Sequence, residues 1–577
     1  MKRLIYILLL VSFFKAPLHA VNPEITIPLR FDRYYNYDDV VEALKALNKA
    51  YPEFTKLEVV GTSEEDLKIY SLVINNPATG EALSKPGVYV DGNIHGNEIQ
   101  AGEVCLYYAN MLLTKYAENK KIRAVVDKNA HYIIPVVNVD GRAHFFMDAN
   151  TPNSNRSIRV PRDDDRDGLF DEDSADDLDQ DGSICQMRIK DPFGKYKTDP
   201  EDERLMIPVK PGEQGEWTIL GLEGIDNDND GKINEDSEGY LDPNRNWGFN
   251  WRPTYVQTGA GEYPFSGKGL KSIAEYIHQH PNIIIAFAFH NTGGMWLRTP
   301  SDEEEMLDPS DIAVYDVMGK NAIKMTPGYV YMPSYQLYPT YGDFDAHVFS
   351  LEGAYSFVGE LFMRSQETYR DDVKKQEKEE ESPMRGGTPA QNREYLKFND
   401  HLGLNELYKE WKPFKHPVYG DIEIGGWVKM SSRLPHPFML PELVHRSASV
   451  VLFSAEQTPE ISMEEPNVKK IGKDLYQVRV RLVNKKAIPS MSAQSVKNKL
   501  YPKDILQLKG AEVVAAGQIT DLLNNKVSYK EYKPEIQFIT VPGNNKVDYQ
   551  FLVKGKGNIV IEYMSKKAGN LKKEFKL

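Results

Sequence analysis

Val88-Tyr89-Val90-Asp91-Gly92-Asn93-Ile94-His95-Gly96-Asn97-Glu98 reads as a change of backbone state. The first three residues are β-branched or aromatic, and they stop at the turn formers Asp91, Gly92 and Asn93. That is the pattern of a short buried strand broken by a tight turn. From 99 to 116 the apolar residues return with helical spacing. The same grammar recurs outward from here: 132–137 and 283–289 read as further buried strands, and 38–47 and 270–278 as helices. Strands alternating with helices predict an α/β layered domain. The turn itself carries His95 and Glu98, three residues apart. In a turn entering a helix, that spacing aims an imidazole and a carboxylate at one point, the donor types that zinc accepts. A histidine and a glutamate three apart also arise by chance on a surface, so the pair alone leaves both readings open.

A third donor must come from elsewhere in the chain. His290 follows the most apolar strand candidate, 283–289. The C-terminal end of such a strand is where ligand sites collect in open α/β sheets. Two histidines and a glutamate leave the fourth zinc position open, as a catalytic metal requires.

At these residues the chain resembles the zinc carboxypeptidase family, the carboxypeptidase A-like metallopeptidases. The family's H-x-x-E motif is matched by His95 and Glu98, and its late histidine by His290. Its Asn-Pro-Asp-Gly turn is matched, with one change, by Asn138-Val139-Asp140-Gly141. Asn155-Arg156-Ser157-Ile158-Arg159 matches N-R-x-x-R, and Asp242-Pro243-Asn244-Arg245-Asn246-Trp247 matches D-x-N-R-N-W. Tyr338 stands at the lid tyrosine's spacing before Glu360, and 355–360 is similar to the family's last core strand. The matches keep the family's order and cover 34–363, with a weaker continuation to 454.

The resemblance implies a mixed-sheet α/β/α domain and a role for each residue. His95, Glu98 and His290 would hold Zn2+. Glu360 would be the general base, and Arg159 would stabilise the oxyanion. Asn244 and Arg245, helped by Arg156, would grip the C-terminal carboxylate of a peptide or protein substrate. Tyr338 would close over that substrate, and Asp242 would orient His95. Rivals stand beside several of these: Arg162 for Arg159, Tyr335 and Tyr341 for Tyr338, Glu352 for Glu360, and a purely structural ion pair for Arg245. For the floor of the specificity pocket, ungapped counting gives Asp345, which favours a basic side chain. Aligning on Gly342 gives Phe344, which favours an apolar one.

Three acidic segments form a separate pattern. Asp163, Asp165 and Asp167 precede Gly168, with Asp171 and Asp173 after it. Asp177, Asp179 and Asp181 precede Gly182, and Asp226, Asp228 and Asp230 precede Gly231. Oxygen donors at alternate positions and then a glycine suit a Ca2+ loop. These segments resemble EF-hand-like or dockerin-like loops, without the glutamate at the twelfth position. The alternative is a solvated acidic loop. Because family members have a short connection there, 160–240 reads as a calcium-ordered insertion in a catalytic domain spanning 25–455.

The remaining signals bound the rest. The 577 residues exceed one core, and the net charge of −14 argues against a nucleic-acid partner. Lys2 and Arg3, an apolar run at 4–14 and a small-residue end at Ala20 form a signal-peptide pattern over 1–20, so a secreted or periplasmic protein is expected. No other stretch approaches transmembrane length. The short distance from residue 20 to the first helix predicts an enzyme that needs no N-terminal activation domain of the kind some relatives carry. Cys105, in an apolar helical pattern, reads as a buried thiol, while a pairing with Cys185 stays open. The run 371–381 reads as a solvated charge stretch, and an acidic, proline-containing linker is expected at 456–466. From 466 to 577, alternating stretches at 476–483 and 549–554 predict an all-β, sandwich-like module. Three functions follow: an exported carboxypeptidase, a zinc amidase of the same fold acting on cell-wall peptides, or a silent calcium-ordered surface protein.

Overall fold

The computed structural model describes residues 29–163, 166–236, 239–362, 388–530 and 532–577. The signal pattern at 1–20, the charge run at 371–381 and Asp165 lie outside the described residues. Helix α1 (Tyr37–Ala50) opens the fold, capped by Asn36, whose side chain accepts from Asp39 N. Strands β1 (Thr55–Thr62), β2 (Lys68–Ile74) and β3 (Gly87–Gly92) lead into α2 (Gln100–Lys115). Then come α3 (Lys120–Lys128), β4 (Ala130–Ile134) and α4 (Val139–Met147). The acidic region holds β5 (Gln186–Lys190), β6 (Tyr196–Thr198), β7 (Met206–Pro208) and β8 (Trp217–Leu222). Next are α5 (Lys268–Gln279), β9 (Ile283–Asn291), β10 (Met295–Arg298), α6 (Pro309–Met325), β11 (Val330–Pro333), α7 (Phe344–Glu352) and β12 (Tyr355–Leu361). Strands β13 (Tyr408–His416) and β14 (Gly420–Trp427) precede a long helix, Leu440–Glu456.

One eight-stranded mixed sheet, ordered β1-β2-β4-β3-β9-β12-β10-β11, forms the centre. Its middle strands β4, β3, β9 and β12 run parallel. Both faces of these strands are covered, which is why β9 is apolar without alternation from Ile283 to Phe289, and all nine of its residues are buried. Helix α2 packs on β3 and β9 beside Leu440–Glu456, while α7 covers β12. Strand β4 ends earlier than expected, at Ile134, because Pro135 has no N–H for the ladder.

The acidic region is not loops alone. Strands β5 to β8 join β13 and β14 in a six-stranded sheet, β13-β14-β5-β8-β6-β7. Ion pairs Arg188–Glu423 at 2.6 Å and Arg204–Asp400 at 2.7 Å tie the insertion to the segment after the main sheet. Such a sheet is not legible in the sequence, since the pairing that joins its two halves, β5 with β14, spans more than two hundred residues.

The C-terminal module stacks two antiparallel sheets over Val478, Val480, Leu482, Phe551, Ile561 and Tyr563. Its first strand, Ile461–Met463, already lies in the stretch expected as linker. The module is fastened to the first domain. Asp311 accepts from Ala493 N and Gln494 N, both at 2.9 Å, and the buried Lys567 ammonium donates to Ile283 O. Both cysteines are free and buried.

Candidate active site

The turn between β3 and α2 is built around Asn93, which adopts a φ of 59°. Its amide donates to His95 O at 2.6 Å and to Gly96 O at 3.0 Å. Gly96 is required by contact, because a Cβ there would stand 2.3 Å from Asn155 O. Asn93 is itself held by Arg142, fully buried, whose guanidinium donates to Asn93 Oδ1 (2.8 Å), Ile99 O (3.0 Å), Glu103 Oε1 (2.6 Å) and twice to Tyr35 O. Burial pushes Glu103 up to about 7 even beside this guanidinium. Arg142→Ala should therefore lower stability by roughly 3–5 kcal/mol, the cost of breaking a buried ion pair. Thermal melting checks this, and an unchanged Tm would show that the bonds around the turn contribute nothing.

The three expected ligands converge. His95 Nδ1 lies 2.9 Å from Glu98 Oε1, His290 Nδ1 lies 3.0 Å from Glu98 Oε2, and the two Nδ1 atoms are 3.2 Å apart. All three residues are buried. The other nitrogen of His95, Nε2, faces Asp242 Oδ1 at 3.1 Å. A proton on Nε2 satisfies that carboxylate, which leaves an Nδ1 lone pair pointing at the oxygens of Glu98. Two imidazole nitrogens and a carboxylate brought this close in a buried pocket would suit a shared cation. The donor set therefore fits zinc. Burial opposes the charge on Glu98, and positive charge on the neighbouring imidazoles, the place a cation would take, holds it well below the usual carboxylate range. For Asp242 burial is likewise outweighed by His95, Arg156 and Arg245.

Glu360 sits beside His290 in the parallel register of β12 and β9, so both side chains leave the sheet on one face. Burial pushes its carboxyl up to about 7. Its rival Glu352 ends α7 and pairs instead with His278 at 3.2 Å.

The two family arginines fall in different places. Arg156 reaches the ligands, with Nη1 3.0 Å from Glu98 Oε1 and Nη2 3.3 Å from Asp242 Oδ2. Arg159, expected at the oxyanion, turns instead to Asp148 Oδ2 at 3.1 Å and Asn155 Oδ1 at 2.7 Å. Arg162, the other contender, stacks on Tyr240. Asn244 is locked by Phe344 N, which donates to its Oδ1 at 2.9 Å. Arg245 donates to Tyr338 OH at 3.3 Å, which favours Tyr338 over Tyr335 and Tyr341. Of the two floor candidates, Phe344 is sealed in the core against Tyr89 and Trp247. Asp345 is buried and accepts from Ser334 Oγ at 2.7 Å; burial and the adjacent Asp343 push its pKa well up.

In all three acidic loops the glycine N–H donates to the first aspartate: Gly168 to Asp163 (3.2 Å), Gly182 to Asp177 (2.9 Å) and Gly231 to Asp226 (3.1 Å). Carboxylates gather as Asp167–Glu172–Asp228, Asp173–Asp226–Asp228, Asp177–Asp179–Glu223 and Asp228–Asp230–Glu235. Among the described residues Asp163, Asp171 and Asp181 join none of these groups. Asp171 accepts from Arg162 N, and Asp181 pairs with Lys409 at 3.1 Å. Glu223 was missed in the sequence, since it lies outside any D-x-D-x-D-G run.

A family model described as "Zinc carboxypeptidase" matches residues 40–192 and 225–380, together more than half of the chain, and "Domain of unknown function (DUF8731)" matches 460–576. The chain belongs to the zinc carboxypeptidase family. The break between the two matched segments falls inside the acidic insertion. Human carboxypeptidase D is 34% identical over 116 residues, covering 20% of this chain and 8% of that protein. Carboxypeptidase B of Astacus astacus is 22% identical over 297 residues, covering 50% of this chain and 71% of that protein. The chain thus spans only a small part of carboxypeptidase D. Among solved structures, carboxypeptidase A from Helicoverpa armigera aligns at 17% identity and a TM-score of 0.42, covering 74% of this chain and 76% of that one.

Proposed function

We propose that the protein is an exported zinc-dependent carboxypeptidase that removes C-terminal residues from peptides. The observation that carries this reading is the convergence of His95, Glu98 and His290 with Glu360 alongside and Arg245 one step beyond. His95, Glu98 and His290 would hold zinc, which would supply a Lewis acid and lower the pKa of water to about 7. Glu360 takes the proton of the attacking water and delivers it to the leaving amine. We assign the oxyanion to Arg156 rather than Arg159, a task worth about 3–4 kcal/mol. Arg245 and Asn244 receive the substrate's terminal carboxylate, which a planar guanidinium binds through paired hydrogen bonds. Tyr338 covers it, and Asp242 fixes the ring of His95. Export rests on the pattern at 1–20.

Mass spectrometry of a peptide library treated with the protein tests this. The expected products have each lost residues stepwise from the C-terminus. Internal cuts, or turnover of cell-wall fragments alone, would overturn it in favour of another substrate class.

We also propose that Ca2+ orders the insertion, supported by the shared glycine-to-aspartate turns and the carboxylate groups. Unneutralised, these carboxylates repel one another. Excess calcium should raise the melting temperature and a calcium-selective chelator should lower it. A transition indifferent to both would remove calcium from the account.

A further inference from the structure

Arg433 lies beyond both segments matched to the family, in the turn after β14. Its side chain nevertheless returns to the metal ligands. Nη1 stands 3.8 Å from Glu98 Oε1 and donates at 3.2 Å to the carbonyl of Asn291, the residue after His290. Nε and Nη2 both donate to Asn153 Oδ1, at 3.3 and 3.2 Å. The turn is pinned on either side of it: Lys429 donates to Phe145 O and Asp148 O, and Tyr34 OH to Pro435 O. A guanidinium has five N–H groups. Three are used here, and the side chain remains 27% exposed at the edge of the site.

The surrounding contacts run in a row. Arg245 acts on Asp242, Asp242 pairs with Arg156, Arg156 with Glu98, and Glu98 stands beside Arg433. With the terminal carboxylate at Arg245 and the scissile carbonyl at Arg156, a bound peptide continues towards Arg433. We propose that Arg433 is a substrate-binding residue that donates to a main-chain carbonyl upstream of the scissile bond, so that the enzyme favours peptides over simple acyl-amino acids. This rests on the exopeptidase reading above.

The test uses three substrates sharing one C-terminal residue, the one that the wild type releases fastest. A butanoyl derivative offers no carbonyl beyond the scissile one, an acetyl-Ala derivative offers one, and an acetyl-Ala-Ala derivative offers two. For the wild type, kcat/KM should rise once an upstream carbonyl is present. Arg433→Ala should lose about 10- to 100-fold on the two longer substrates, mainly in KM, which is the effect of removing a hydrogen bond from a charged donor. On the butanoyl substrate, compared per bound zinc, the loss should be at least tenfold smaller. A loss equal on all three substrates, or none on any, overturns the proposal. If Arg433→Ala does not fold, Arg433→Lys decides by the same comparison, since a point charge cannot keep the fork of donors. A wild type that cleaves none of the three overturns the exopeptidase reading itself, and this proposal with it.

Discussion

Glu360→Gln should keep its zinc and lose about 10²- to 10⁴-fold in kcat, the range for removing a general acid–base group. The substitution preserves size and leaves the β12–β9 register intact, so His290 is not displaced. What disappears is the ability to accept a proton. Burial already pushes this carboxyl up to about 7, and a dication at the neighbouring ligands pulls it back towards the ionised form that a base needs. Losing a buried charge should leave the melting temperature unchanged or slightly raised. Steady-state kinetics with metal analysis on the same sample checks the claim. A variant within tenfold of the wild type would place the base elsewhere.

His290→Ala should fail differently. It removes one of three donors from a buried site, so zinc affinity should fall by more than the roughly 10- to 100-fold that loss of a ligand's orienting partner costs. Hydrolysis should fall with zinc occupancy, at least as far as in Glu360→Gln, and saturating zinc should restore part of it only if the metal rebinds. Equilibrium dialysis against zinc measures the affinity. Undiminished binding would mean that His290 is not a ligand, whatever its distance from Glu98.

How much of this was legible beforehand depended on whether a residue's role travels with its neighbours. His95 and Glu98 share one turn, and His290 ends the most apolar strand, so local pattern and strand position located them. Asn244, Arg245 and Trp247 lie in one short segment, which the structure keys as a unit against Gly342 and Phe344. Arg156 and Arg159 are three apart on a turn where Asn155 takes a φ of 60°, and spacing could not say which one faces the ligands. Arg142 was invisible because nothing in a helical segment announces a guanidinium that holds a distant turn. Arg433 and Glu223 come from segments with no motif, and only tertiary folding brings them in. The six-stranded sheet of the insertion was lost for the same reason, since β5 finds β14 across more than two hundred residues.

The most direct check is elemental analysis of the purified protein beside His290→Ala. One zinc per chain in the wild type, depleted in the variant, is the result that the converging lone pairs predict. A wild-type chain that takes up calcium but no zinc, even after dialysis against excess zinc, would contradict the account at its root.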